Sequence, residues 1–212
     1  MTRGLFISAI AAALLSACGG TGTLYVTARF SSDGSTASSA ARVVVREAAS
    51  TGVLVTDAQV FVTGSKLPKT AIPFAMMNND YRAGGFGWDD SLRLTVTRGT
   101  DSVESTVQSP GFTVITAPTQ DATVVKANGL LVTWRDSANA PANVARVRLN
   151  RAMVDVTLAD DKFQYRITAD PLVASDSEQV TLERSNEVAP PGAAPGSVIT
   201  ATTTHTIQFK VE

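Results

Sequence analysis

The stretch TTTHTIQFKV, residues 202–211, indicates the architecture of this chain of 212 residues. Polar and apolar side chains alternate along its second half, in the order Thr206, Ile207, Gln208, Phe209, Lys210 and Val211. Successive side chains of a β-strand point to opposite faces of a sheet. The alternation therefore predicts a long final strand with one buried face and one face in water.

Segments of the same kind recur along the rest of the chain, separated by Gly, Pro, Asn, Asp and Ser. They cover residues 24–30, 42–46, 59–63, 81–86, 92–97, 102–107, 130–134, 145–149, 153–158, 163–168 and 179–183. The sequence Arg98-Gly99-Thr100-Asp101 joins two of them as a predicted hairpin turn, since glycine readily supplies a positive φ. Long helical patterns do not follow the N-terminal segment, so we expect an all-β fold built as two tandem β-sandwiches.

Proline and glycine suggest where one sandwich ends and the next begins. The best boundary is Ser109-Pro110-Gly111, because proline cannot donate to a strand ladder. We therefore expect one domain at residues 23–112 and a second at residues 113–212.

The N-terminus carries a segment typical of protein export. Arg3 supplies a positive charge before an apolar run at residues 5–15. This run of about 11 residues is shorter than the roughly 20 that a membrane-spanning helix needs. We therefore interpret residues 1–17 as a cleaved leader rather than part of the fold.

The chain's one cysteine follows this run directly, in the order Leu15-Ser16-Ala17-Cys18. This order resembles the lipobox of bacterial lipoproteins, in which an apolar residue and two small residues precede an acylated cysteine. The resemblance implies cleavage between Ala17 and Cys18 and a lipid on Cys18. An ordinary secretory signal and an uncleaved anchor are the alternatives.

Residues 18–22 would then form a flexible, glycine-rich tether between the lipid and the fold. Gly19 stands where an aspartate commonly retains such lipoproteins in the inner membrane. The resemblance therefore implies a cell-envelope location at the outer membrane.

Two further resemblances concern the predicted sandwiches. Residues 57–64 and 92–99 resemble Ig-like or prealbumin-like modules of bacterial surface proteins. Residues 130–134 resemble the second strand of a fibronectin type III domain, whose tryptophan, here Trp134, fills the core. The strand at residues 145–149 lacks that family's usual tyrosine. These resemblances imply interaction modules and no catalysis.

Composition limits the partners. The net charge is −1, from 18 basic and 19 acidic residues, and the basic residues form no stripe. We therefore expect no nucleic-acid partner. No cysteine follows Cys18, so the fold cannot depend on a disulfide.

The search for catalytic residues finds one histidine, His205, without an HExxH or G-x-S-x-G motif around it. We expect a strand histidine, no enzyme activity, no metal and no cofactor. The alternative, a hydrolase, would need a pocket joining His205 to an acid and a serine. Three acidic clusters are interpreted as solvated turn residues, with calcium binding as the alternative. These are Asn78-Asn79-Asp80, Asp89-Asp90 and Asp160-Asp161.

Tyr81 and Trp88 lie in the most aromatic segment, residues 81–88. Aromatic rings on a sandwich edge can stack on sugars, so these two are candidate ligand contacts; packing on their own core is the alternative. The sequence thus predicts a lipid-anchored cell-envelope protein acting as an interaction or structural module. Its partners would be the membrane, through its lipid, and an envelope protein or polysaccharide. A surface carbohydrate- or ligand-binding protein is the alternative.

Overall fold

Strands account for most of the computed structural model, which describes residues 23–33, 39–64, 71–137 and 142–212. The lipobox, Cys18 and the tether lie outside the described residues. The strands are β1 (Leu24–Ser32), β2 (Ser39–Glu47), β3 (Gln59–Gly64), β4 (Ile72–Pro73), β5 (Ala75–Met77), β6 (Asp80–Gly84), β7 (Ser91–Arg98), β8 (Asp101–Gln108), β9 (Thr113–Ala117), β10 (Thr123–Val124), β11 (Leu130–Asp136), β12 (Val144–Leu149), β13 (Val154–Leu158), β14 (Gln164–Ile167), β15 (Ser175–Val188) and β16 (Val198–Val211). In these ranges the one helical element is a 3-10 turn at Lys126–Asn128. The prediction of an all-β chain is confirmed.

Within the described ranges the strands form three sheets. The large sheet has nine strands, in the order β13-β12-β15-β16-β1-β2-β6-β5, with β10 also paired to β16. A four-stranded sheet has the order β4-β3-β7-β8, and a three-stranded sheet has the order β14-β11-β9. Most pairs are antiparallel, but β16 runs parallel to β1 and to β10.

The two small sheets pack on one face of the large sheet and enclose two apolar cores. The first core joins β1, β2 and β6 to the four-stranded sheet, with Val26, Phe30 and Leu94 fully buried. The second core joins β12, β15 and β16 to the three-stranded sheet around Trp134 and Phe209. In each pair of facing sheets, apolar residues that point into the core alternate along the strands with polar residues that point outward, as expected of stacked sheets.

The strands β15 and β16 belong to both cores. Each has 14 residues. At about 3.3 Å per residue they extend about 46 Å, more than twice the usual strand length of roughly 17–20 Å. Ile199 and Ala201 near the start of β16 lie in the first core, whereas Ile207 and Phe209 near its end lie in the second.

This shared hairpin differs from the predicted pair of tandem domains. Residues 23–112 do not complete their own core, because Ile199 and Ala201 come from the range 113–212. The sequence alone marked only residues 179–183 and 202–211 as strand, the most regularly alternating parts of β15 and β16. Independent folding of either range stays a prediction.

A polar seam separates the two cores where β15 and β16 pass from one to the other. Arg184 is fully buried there, and its Nη1 donates to Asp136 at 2.5 Å. Its Nε donates to Asp161 at 2.7 Å, and the ring of Phe163 lies 5.0 Å from the guanidinium carbon. Beside it on β16, the hydroxyl of Thr203 shares a hydrogen bond of 2.8 Å with the hydroxyl of Thr113 on β9 of the three-stranded sheet.

The carboxylate of Asp161 organises this seam. Its oxygens accept bonds from the Trp134 indole at 2.9 Å and from the backbone N–H groups of Ala142 at 3.0 Å and Phe163 at 3.3 Å. A buried charge is tolerated only when it is paired and hydrogen-bonded. The seam meets that condition and ties the three-stranded sheet to β15.

Replacing Arg184 by Met should destabilise the protein strongly, because two buried carboxylates would lose their cation. We expect the free energy of unfolding to fall by about 3–5 kcal/mol in urea titrations. The matched control is Arg148→Met, which removes a half-exposed pair with Glu183 and should cost less than about 1 kcal/mol. Equal losses in the two variants would contradict the role assigned to the seam.

The shared hairpin predicts that the two cores unfold together. Trp88→Phe leaves Trp134, in the second core, as the one tryptophan of the chain. In that background, Ile199→Ala in the first core should lower the free energy of unfolding by about 2–4 kcal/mol. Trp134 fluorescence should report the full shift, and Thr200→Ala on the opposite face should leave the midpoint nearly unchanged. An unshifted Trp134 transition would show that the cores are independent.

Candidate functional site

The candidate site lies on the outer face of the large sheet, the face that points away from both small sheets. Its residues on β1, β2, β15 and β16 are all half-buried or exposed. The opposite face of these strands is almost entirely buried. The outer face is therefore the broad surface that this fold presents to solvent.

Three arginines form a row across this face. Arg29 on β1 is paired in register with Arg42 on β2, and Arg42 is paired with Arg82 on β6. Neighbouring strands lie about 4.8 Å apart, so three like charges stand side by side. Like charges directly opposite each other destabilise a sheet unless something compensates them.

Asp80 compensates two of the three. It lies two residues before Arg82 on β6 and is 2% exposed. Its carboxylate accepts bonds of 2.7 and 3.2 Å from Nε and Nη2 of Arg82, and it also accepts a bond from Nε of Arg42. The bond from Arg82, together with that from Arg42, holds the pKa of the Asp80 carboxyl below its usual range despite burial. One carboxylate is thus shared by two guanidinium groups.

Arg29 has no such counter-ion among the residues that the structure describes. It is exposed, and the carboxylate of Asp80 lies two strands away, beneath Arg42 and Arg82. Next to Arg29 in the same row is Thr200 of β16, whose hydroxyl donates to Glu187 at 3.3 Å. The arginine row therefore ends, on the β16 side, in a guanidinium that is available to an anion.

An open groove of about 530 Å³ runs over the row. The three arginines line one side, and Glu183, Thr202 and Thr204 of β15 and β16 line the other. The carboxylate of Glu183 accepts a hydrogen bond of 3.4 Å from Nη2 of Arg148. We call this feature the arginine groove; it combines charged donors with a row of hydroxyls.

The predicted ligand contacts lie elsewhere. Tyr81 is 3% exposed in the first core, and its hydroxyl donates to Val55 at 3.1 Å and accepts from the Ala58 N–H at 2.9 Å. Its ring therefore offers no face to a ligand, and burial raises the pKa of its phenol. Trp88 is half-buried against the same core, with its indole N–H bonded to Pro110 at 2.8 Å. A contact of Trp88 with a ligand stays a prediction.

The interpretation of the acidic clusters as solvated turns is wrong for one aspartate in each. Asp80, Asp89 and Asp161 are all at most 4% exposed. Asp80 neutralises arginines, Asp161 holds the seam, and Asp89 accepts the Asp90 N–H at 2.8 Å. Their neighbours Asn79, Asp90 and Asp160 are exposed. In the described ranges no group of three or more His, Cys, Asp and Glu side chains could hold a metal ion.

His205 lies on β16 at the edge of the polar seam. Its Nδ1 accepts a bond of 3.3 Å from the Ile115 N–H of β9, so the proton of the neutral ring is on Nε2. Desolvation lowers the pKa of His205 below its ordinary value. In the part of the chain that the structure describes, no acid or serine side chain is bonded to this ring, and the histidine joins two sheets.

Sequence reasoning missed the arginine groove. Each arginine occupies a polar position of an alternating strand, and that signal alone predicts only a solvated side chain. The row forms because β2 pairs with β1 on one side and β6 on the other, at a particular register. Neither pairing partner nor register can be deduced from the three short segments separately.

Comparisons with known proteins add no identity. No model of a protein family matches the sequence, and no curated protein matches it. Within the described ranges, helices of the length and apolar character that a membrane crossing needs are not found.

Stability should depend on pH through His205, the one histidine of the chain. Because burial lowers its folded-state pKa, the unfolded chain takes up the proton first, near pH 6.5. Stability is then fully present above about pH 6.5 and is lost as the pH falls through the lower folded-state pKa. Urea midpoints between pH 8 and pH 5 should fall for the wild type and stay level for His205→Gln. A variant that keeps the wild-type slope would show that another group is responsible.

Proposed function

We propose that this chain is a lipid-anchored cell-envelope protein whose β-sheet body acts as a binding module. One observation carries the binding role: the outer face of the nine-stranded sheet is open, and it holds the arginine groove. An ordinary sandwich sheet needs no aligned row of like charges on its wet face. Asp80 compensates only Arg42 and Arg82, and Arg29 has no carboxylate partner among the described residues, which favours a role in recognition.

The lipid anchor is supported by the sequence Leu15-Ser16-Ala17-Cys18. Its cysteine is the one cysteine of the chain and occupies the position that the lipobox requires. Acyl chains contribute roughly 0.8 kcal/mol per buried methylene, so two or three chains anchor a protein stably. The anchor frees the folded body from any need for a membrane-facing surface. With Gly19 after the cysteine, we place the protein at the outer membrane.

The partner would be an envelope protein or a polysaccharide. Linking the module to the membrane raises its effective concentration at the surface where such partners are found. The Ig-like and fibronectin type III-like identities also belong to this proposal. Two facing sheets around a buried Trp134 support them, although the shared β15–β16 hairpin departs from a simple tandem.

Carbohydrate binding is the second candidate, and the arginine groove favours it. Hydroxyls of Thr202 and Thr204 stand beside the guanidinium groups there. Sugars offer hydroxyls and ring oxygens that pair with such donors and acceptors. The groove would bind a sugar through polar contacts, whereas the sequence predicted aromatic stacking at Tyr81 and Trp88.

Replacing Cys18 by Ser should release the protein from membranes, because the thiol that would carry the lipid is gone. Fractionation should find the variant in the soluble envelope fraction, and metabolic labelling with palmitate should fall to background. Ser16→Ala keeps a small residue before the cysteine and should remain labelled and membrane-bound. A wild-type chain that takes up no palmitate, or a Cys18→Ser chain that stays in the membrane, would refute the anchor.

A further inference from the structure

We infer that the arginine groove binds an acidic polysaccharide, with a carboxylate of the sugar chain seated on Arg29. This inference rests on the proposed binding role of the outer face and not on the lipid anchor. It names the class of ligand, which the sequence left open between protein and polysaccharide.

The charges of the groove call for an anion. Three arginines line the groove, and the carboxylate of Asp80 bonds to only two of them, Arg42 and Arg82. Glu183 on the opposite side has Arg148 as its own partner. The groove is therefore positive although the whole chain carries a net charge of −1. Positive charge concentrated in a concave surface raises the local concentration of anionic ligands.

Asp80 shows which anion fits. Its carboxylate is held by the Nε atoms of Arg42 and Arg82, so one carboxylate already occupies the first two positions of the row. Arg29 repeats the same donor one strand further along, without a carboxylate from the described residues. A planar guanidinium pairs with a carboxylate through two parallel hydrogen bonds. A ligand carboxylate would complete the pattern that Asp80 begins.

The other side of the groove fits a sugar backbone. Thr202 and Thr204 are neighbours on the outer face of β16, and Ser31 of β1 is paired with Thr202. Each hydroxyl can donate one bond and accept others, which suits the hydroxyls of a sugar ring. A groove of about 530 Å³ exceeds the needs of a single small anion and is open at the surface. It therefore suits a stretch of a longer chain.

Other polymers fit the groove less well. Single-stranded nucleic acids bind by stacking bases on aromatic side chains, whereas Phe30, the aromatic residue at this groove, is fully buried. Protein interfaces are centred on buried aromatic or apolar anchors. The groove provides charge and hydrogen bonds instead, which is the chemistry of an acidic sugar.

The test is titration calorimetry of the purified full chain, held in non-ionic detergent, with oligomers of polygalacturonate. We expect binding that weakens as salt rises, since exposed charges are screened. Arg29→Gln should weaken it about tenfold, because a charge-assisted bidentate contact is lost. The matched control, Arg135→Gln, removes an exposed arginine of the three-stranded sheet and should bind as the wild type does.

Two further probes separate sugar recognition from charge alone. Dextran, a neutral sugar chain, should not bind, and Thr202→Val should weaken binding of polygalacturonate while leaving binding of polyphosphate unchanged. Unfolding midpoints of the variants should match the wild type, since Arg29 and Thr202 lie on the outer face of the large sheet and Arg135 is exposed on the three-stranded sheet. Equal effects of Arg29→Gln and Arg135→Gln, or equal binding of dextran, would overturn the inference. So would equal effects of Thr202→Val on both polyanions.

These outcomes are distinct from those of the lipid test. A chain that incorporates palmitate and binds no polygalacturonate would remove this inference and leave the envelope anchor standing. A chain that binds polygalacturonate through Arg29 and incorporates no palmitate would support this inference and remove the envelope anchor.

Discussion

The antiparallel ladder between β15 and β16 is the constraint on which the rest of the structure depends. It runs from Val188 paired with Ile199 to Glu178 paired with Phe209, and it passes through both apolar cores. Because the two strands are continuous, the layers beside them become one nine-stranded sheet rather than two separate ones. That continuity also makes the outer face broad. Strands β1, β2 and β6 extend the sheet on the side of β16, and strand β12 extends it on the side of β15.

The polar seam fixes how the small sheets lie on this ladder. Arg184 of β15 is gripped by Asp136 at the end of β11 and by Asp161 in the turn before β14. A slip of one residue in β15 would move Arg184 to the wet face and leave both carboxylates buried without a cation. Replacing a buried ion network by apolar side chains is often neutral for stability. In this fold the buried ion network instead specifies one pairing register of β15 among the several that an alternating strand would permit.

Local pattern predicted the strands and the all-β class, because alternation is a property of a few consecutive residues. The hairpin of β7 and β8 around Gly99 was predicted for the same reason. Pairing between distant segments could not be predicted, since β1 gives no local sign that its parallel neighbour is β16. The arginine groove and the buried aspartates depend on such pairing. Trp134 was predicted as a core residue from its resemblance to the core tryptophan of a fibronectin type III strand, and it is buried in the second core.

The parallel pair of β1 and β16 has a consequence for the order of folding. Val26 bonds to Ser197 across a sequence separation of 171 residues, and the first core is closed only when Ile199 and Ala201 arrive. Contacts this distant along the chain form slowly, because a long loop must close before they are gained. The nascent chain therefore cannot complete either core until its last strand has been synthesised. A polypeptide built in this way acquires the contacts that close both cores only after nearly all of it has been synthesised.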